Sequence, residues 1–366
     1  MKILRLISRI IVGITFIFSG FVKGVDPLGT MYKIEDYFIA YQMEWALEWA
    51  LPLAFVLVLL EFLLGVFILL NIRLKVTTYL LLAMMSFFTL VTLYDALYNP
   101  VPDCGCFGEA IIMTNWETFF KNVVLMVFTI ILVVTRPSQK ALKTTRLKAY
   151  TGIATAVLFF AFSWYSYQHL PPVDFREWKT GNDMKQEGEP VYYLIYKNTD
   201  TGEQKQYLSS ELPWSDTAWV EQWEFVEQKV DYSSVVRPHN LEVVSITDGS
   251  DMTQKVIEAA GWQFLLTSHN IRKADTVGLK KAVNLYENLN NEGYQFALLT
   301  ASLEEGIEEF MAHYDTDIPA YQADDIELKT MVRANPGLIL MKDGVVINKW
   351  HYNDFPDAEQ IVKKYN

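Results

Sequence analysis

"NPVPDCGCFGEA", residues 99–110, carries both cysteines of the 366-residue chain, one glycine apart. It lies between two apolar runs, 76–98 and 116–135. Each run is long enough for a helix to cross a hydrocarbon core about 30 Å thick. Three more runs of this kind, 3–25, 47–70 and 149–167, give five expected spans. The first is too long in its apolar stretch for a removable leader, lacks a clear small-residue cleavage site and is followed by more spans, so it counts as a span. From Asp174 onward the chain reads as an ordinary soluble sequence. The part before Asp174 carries a charge of about +3 and the part after it about −15, within a total of −12. Such an acidic surface argues against nucleic-acid binding.

Lysine and arginine near the span ends set the orientation. Lys2, Arg5 and Arg9, then Arg73 and Lys75, then Arg136, Lys140, Lys143, Arg146 and Lys148 fall on one side if the N-terminus is cytoplasmic. The opposite loops hold Lys23 and Lys33 among Asp26, Glu35, Asp36, Glu44, Asp103 and Glu109. An odd number of spans then places the Cys loop and the C-terminal domain outside the cytoplasm, which in a bacterium means an inner-membrane protein with a periplasmic domain. The segment 31–47 is expected as a helix lying on the outer membrane surface, with Trp45 and Trp49 in the interfacial belt. Glu61 is the one carboxylate well inside a span. It has to be paired, protonated or facing a polar cavity, as a proton relay, a polar ligand contact or an interhelical hydrogen bond to Ser or Thr.

Outside the cytoplasm thiols tend to oxidise. A Cys-x-Cys bond closes too small a ring to gain much loop-closure entropy, and its preferred geometry is hard to reach across one residue. Such a bond exchanges readily, so Cys104 and Cys106 suit redox exchange better than stapling. Three other readings stay open: a Cu(I) site, for which no nearby His or second Cys pair supplies further ligands; inert thiols; and a shape feature packed under Phe107. Asp103 and Glu109 would raise the thiol pKa values and slow thiolate attack.

The stretches "FSGFVKGVDPLGTMYKIEDYF" (18–38), "EFLLGVFILL" (61–70) and "DCGCFGEAIIMTNWETFFKNVVL" (103–125) resemble the DoxX/MauE group of small membrane proteins. Cys104, Cys106, Phe107, Gly108, Asn115, Trp116 and Asn122 carry the likeness. It implies a four-helix membrane domain over residues 1–135 with a redox association. In the methylamine-utilisation branch this concerns maturation of a disulfide-rich periplasmic enzyme subunit, and in other members quinone-linked sulfur chemistry. The fifth span and the large C-terminal domain depart from the short members of the group. No residue pattern identifies a cofactor, and a quinone stays open as electron acceptor.

Residues 136–172 are then a basic loop and the fifth span, and residues 173–240 a polar linker (173–184) and a β-rich insert. In the insert, "PVYYLIYKN", "TDTG" and "EQKQYLSS" spell a hairpin that "WEFVEQKVDY" extends. Trp214, Trp219 and Trp223 read as a partner surface, aromatic core or membrane contact. Residues 241–366 alternate strand and helix: strands at 241–246, 261–268 and 294–300, a helix at 277–291, and a helix capped by Ser302 running to His313. A helix follows in "ADDIELKTMVRA", then a hairpin in 336–350 turning at Lys342-Asp343-Gly344, and a last helix from Asp357. This order gives a mixed sheet in an α/β domain. "RANPGLILMKDGVVINKW" (333–350) resembles a thioredoxin-like domain and implies a cis Asn335–Pro336 bond beside a groove for an extended chain. Ser268-His269-Asn270-Ile271 stands where such a domain carries Cys-x-x-Cys, so this one cannot itself exchange disulfides. Asn335, Pro336 and His269 are the candidate partner contacts.

The expected whole is a membrane helical bundle, a four-helix core plus one, followed by a soluble α/β domain with an extra β region. Its expected activity is thiol–disulfide exchange through Cys104 and Cys106 with an extracytoplasmic thiol protein or client. The rival is a non-catalytic scaffold or transport accessory whose outer domain binds a partner.

Overall fold

The computed structural model describes residues 2–135, 146–188, 191–231 and 234–365. Arg136, Lys140 and Lys143 of the expected basic loop lie outside the described residues.

Five helices among the described residues are long and apolar enough to cross a membrane. They are α1 (Lys2–Val25), α3 (Ala50–Leu70, continuing a 3-10 turn Glu44–Trp49), α4 (Leu74–Tyr98), α5 (Asn115–Thr135) and α6 (Arg146–Gln168). Val12, Phe16, Leu64, Ile68, Leu81, Met85, Leu125 and Leu132 form their common core. Without a hydrophobic drive inside lipid, small residues let helix backbones approach and gain packing. A Cβ on Gly20 would stand 2.6 Å from the backbone nitrogen of Phe62, and one on Gly65 would stand 2.7 Å from that of Ile17. Helices α1 and α3 are therefore in backbone contact. The fifth span, α6, joins through Phe159, whose ring stacks on Phe62 with centroids 3.8 Å apart. At one end of the bundle Arg5 donates to the Thr135 carbonyl (3.1 Å) and Arg9 to Asn71 (2.8 Å). The Cys loop occupies the other end, between α4 and α5.

Helix α2 (Pro27–Ala40) starts earlier and stops sooner than expected. Asp26 caps it by accepting from the Gly29 amide, with Pro27 at its first position. Gln42 at φ 57° then breaks the chain direction. The Tyr37 hydroxyl fastens α2 to the bundle by donating to Asp95 (2.7 Å), a second buried carboxylate in α4.

Strands β1 (Val191–Asn198), β2 (Gln204–Leu208) and β3 (Trp223–Asp231) form an antiparallel sheet in the order β2-β1-β3, with the short helix α7 (Thr217–Gln222) leading into β3. Trp219 is buried there against Tyr196 and Tyr207, whereas Trp214 is exposed.

The α/β region holds β4 (Val243–Ser245), α8 (Thr253–Ile257), β5 (Trp262–Ser268), α9 (Thr276–Leu289), β6 (Gln295–Thr300) and α10 (Glu304–Tyr314). After these come β7 (Ala320–Ala323), α11 (Asp325–Met331), β8 (Gly337–Lys342), β9 (Val345–His351) and α12 (Ala358–Tyr365). Its mixed sheet runs β4-β7-β6-β5-β8-β9, with β5, β6 and β7 parallel. Alternation along β5 splits the core. Phe264 and Leu266 face α9, α10 and α12, while Leu265 faces α8 and α11. Strand β7 and helices α7 and α8 are absent from the sequence reading. Ser302 does not cap α10: Leu303 holds that place, and the Ser302 hydroxyl accepts from the Ile271 amide instead. The polar segment 173–184 is no free linker. Trp178 and Met184 are fully buried in the α8/α11 core, and Gly181 and Asn182 bond the backbone of Val346.

Candidate functional site

The Cys loop is closed at its base. Asn115 donates to the Asn99 side chain (2.7 Å) and to the Val101 carbonyl (3.0 Å), so the ends of α4 and α5 are tied. Gly105 (φ 62°) lets the chain reverse between the cysteines, and its amide donates to Asp103 Oδ1 at 2.9 Å. The sulfurs of Cys104 and Cys106 come within bonding reach, their Cα atoms 5.5 Å apart, and both residues are half-buried. Lys33 of α2 reaches Asp103 Oδ2 at 2.7 Å. Asp103 and Glu109, expected to burden the thiols with negative charge, are thus each answered by a cation: Lys33 for the first, Arg333 for the second.

Beneath the loop lies Glu61, deeply buried in α3. Lys23 Nζ is 2.8 Å from its Oε1, and Ser19 Oγ is 2.8 Å from its Oε2. The Ser19 hydroxyl is also 2.7 Å from the Cys106 carbonyl. A hydroxyl has one proton to donate, so the two oxygens compete for it. Either way the intramembrane carboxyl is one side chain away from the Cys106 backbone. Glu61 thus bonds a serine of α1 and pairs with a lysine of the same helix. Ser19, Lys23, Glu61, Cys106, Phe107 and Lys121 line a cavity of about 30 Å³, room for a water molecule. Lys121 Nζ stands 4.3 Å above the centre of the Phe107 ring.

The soluble region is bolted to this end of the bundle. Arg333, almost wholly buried, places Nε 2.8 Å from Asp26 Oδ2 and Nη2 3.4 Å from Glu109 Oε1. Burial works to raise Asp26, but Arg333 and Arg176 outweigh it and hold the carboxyl below its usual range. Behind Arg333, Asp174 bonds Arg176 (2.7 Å) and Lys349.

Asn335–Pro336 is cis, and His269 stands beside it across a bonded bridge. Ser268 Oγ meets Asn335 Oδ1 at 2.7 Å, and Asn335 donates to the Asn270 carbonyl at 2.9 Å. A cavity of about 600 Å³ opens between His269, Asn270, Asn335 and the Met31, Tyr32 and Glu35 side of α2. Burial pushes His269 down to about 4, so it is neutral at neutral pH. The opposite side of α2, Gly29, Thr30 and Lys33, lines a crevice with Gly105 and Gly108 of the Cys loop. The sequence candidates therefore fall into two groups on either side of one helix: Cys104, Cys106 and Glu61 on one, His269 and Asn335 on the other.

Residues 1–135 match the family model "Methylamine utilisation protein MauE". The MauE match covers α1 to α5, including the Cys loop, Glu61 and the α2 wall of both cavities, and stops before α6. No curated protein matches the chain. Among the described residues no cluster of three or more His, Cys, Asp or Glu could hold a metal ion.

Four contributors to the site escaped the sequence reading. Lys23 was assigned to an outer loop, although its place one helical turn after Ser19, facing the lone Glu61, is the signal for a buried pair. Lys121 and Ser19 gave no separate signal. Arg333 could not have been found, because its partners lie 307 and 224 residues away.

Proposed function

We propose that the protein is a membrane-anchored thiol–disulfide exchange factor that works on an extracytoplasmic client, with Cys104 and Cys106 as the exchanging pair. One observation carries the reading. The two sulfurs are within bonding reach on a half-exposed loop, and α2, which fixes that loop through Lys33, also forms one wall of the cavity beside Asn335–Pro336. In this reading the soluble region is a thioredoxin-like domain that has lost its own dithiol at Ser268–Ile271. It presents an extended client segment along the cis-proline edge, and the chemistry is left to the membrane loop. A client dithiol attacks the Cys104–Cys106 bond, a mixed disulfide forms, and the client's second thiol resolves it. The client leaves oxidised and the loop leaves as a dithiol. The reverse sequence would reduce a client disulfide. The basic residues at the far end of the bundle support a cytoplasmic N-terminus, with loop and soluble domain on the outer, periplasmic side of an inner membrane.

A second reading, a scaffold with structural cysteines, is favoured by how firmly Lys33, Ser19 and Arg333 hold the loop. Alkylation mass shifts of the full chain in graded thiol–disulfide buffers separate the two. Exchange requires Cys104 and Cys106 to titrate as one two-electron couple near the poise of an oxidising compartment. A pair that stays locked across the whole range, or a Cys104→Ser/Cys106→Ser chain with full biological activity, would leave the scaffold.

A further inference from the structure

Charges around the loop do not cancel one for one. From α1, Lys23 is matched by Glu61 of α3. From α2, Lys33 is matched by Asp103 of the loop itself. From the soluble region, Arg333 is matched by Asp26 and Glu109. Lys121 of α5 makes no ion pair of its own, and Lys23 and Glu61 line the same cavity as it does. Among the described residues no carboxylate lies within ion-pair distance of it, and its ammonium rests on the Phe107 ring at 4.3 Å. It lines the same small cavity as Cys106, a cavity that Cys104 does not line. An ammonium set over an aromatic face is attracted by the ring's quadrupole.

We infer that Lys121 is the residue that stabilises the thiolate of Cys106, which makes Cys106 the leaving sulfur and Cys104 the sulfur attacked. This rests on the exchange reading above. The step balances as follows. A client thiolate forms a bond to Cys104 Sγ, the Cys104–Cys106 bond breaks, and its electron pair departs on Sγ of Cys106, the cysteine that shares a cavity with Lys121. The client's second thiolate then attacks the client sulfur of the mixed disulfide and releases Cys104. Two electrons have passed from a protein dithiol to the loop, and the two protons lost by the client end on the cysteines. A leaving thiol of low pKa departs faster, and a neighbouring lysine is a recognised way to lower it.

The test is the pH dependence of alkylation of the reduced full chain in detergent, followed separately for each cysteine by mass spectrometry. In the unaltered chain Cys106 is expected to titrate at least one pH unit below Cys104, and the reverse order overturns the assignment. Lys121→Met, which keeps the stem over Phe107, is expected to slow Cys106 alkylation near neutral pH about tenfold with Cys104 unchanged, and Lys121→Arg to restore it. A Cys106 titration indifferent to Lys121→Met sinks the proposal even if exchange is real. Conversely, a Lys121-dependent Cys106 titration in a chain whose cysteines prove dispensable would remove the exchange reading and leave the electrostatics standing.

Discussion

Arg333 and Asp26 lie 307 residues apart in the chain and 2.8 Å apart in space. Asp26 is also the cap of α2, and Arg333 stands two residues before the cis Asn335–Pro336 bond. The one contact therefore joins the start of the helix that holds the Cys loop to the edge of the groove in the soluble region. The cavity beside that bond is walled by the same helix that fixes the loop.

Arg333→Met should strand Asp26 and loosen Glu109 at once. Breaking a buried pair from one side costs about 3–5 kcal/mol, because the remaining charge stays desolvated. The thermal midpoint of the detergent-solubilised chain is expected to fall by several degrees, and the segment 169–175 to become a protease site. Adding Asp26→Asn should recover much of the loss, since an amide still caps α2. If Arg333→Met is as stable as the parent and equally resistant to protease, the clamp has no energetic meaning.

The Lys23–Glu61 pair permits the same logic inside the membrane. Glu61→Leu alone leaves a buried ammonium, and Lys23→Met alone leaves a buried carboxylate. Each is expected to destabilise by several kcal/mol. The double variant should be closer to the parent than either single one, because two apolar side chains of similar size fill the site without charge. Fluorescence-detected thermal stability of the three chains decides it; additive losses would mean that the two groups do not act as a pair.

How much of this was legible in the sequence depends on the range of the forces involved. The five spans came through almost residue for residue, because lipid leaves the backbone no choice within an apolar run. The Lys342-Asp343-Gly344 hairpin came through as well, since Asp343 and Gly344 supply the positive φ values that a two-residue turn needs. Errors arose where a tertiary partner outbid a local rule. Ser302 fits a cap by composition, yet its oxygen is taken by the Ile271 amide. The run 173–184 is polar enough for a linker, yet Trp178 and Met184 turn inward against α8 and α11. The closeness of the two sulfurs follows from the Cys104-Gly105-Cys106 spacing, whereas the cations around them do not. Asp103 and Glu109 are visible in the sequence next to the thiols, but Lys33, Lys121 and Arg333 are brought to them only by the fold.

Asp174 and Lys349 should make stability depend on pH at two separate ranges. Burial works to raise Asp174, but Arg176 and Lys349 hold it at about 2 against an ordinary 3.8. Between those values the unfolded chain binds the proton and the folded chain does not, so stability rises with pH there. It is worth about 2 kcal/mol above pH 4, lost as the pH falls toward 2. Burial, joined by Arg176, pulls Lys349 from 10.5 down to about 7 despite Asp174. From pH 7 to 10.5 the unfolded chain again holds the extra proton, so stability should climb through that window as the cost of a buried ammonium disappears. Denaturant titrations of the full chain at stepped pH measure both slopes. Lys349→Met is expected to abolish the alkaline rise and keep the acid loss, because Arg176 still holds Asp174. An alkaline rise of the same size in Lys349→Met would assign it to another group.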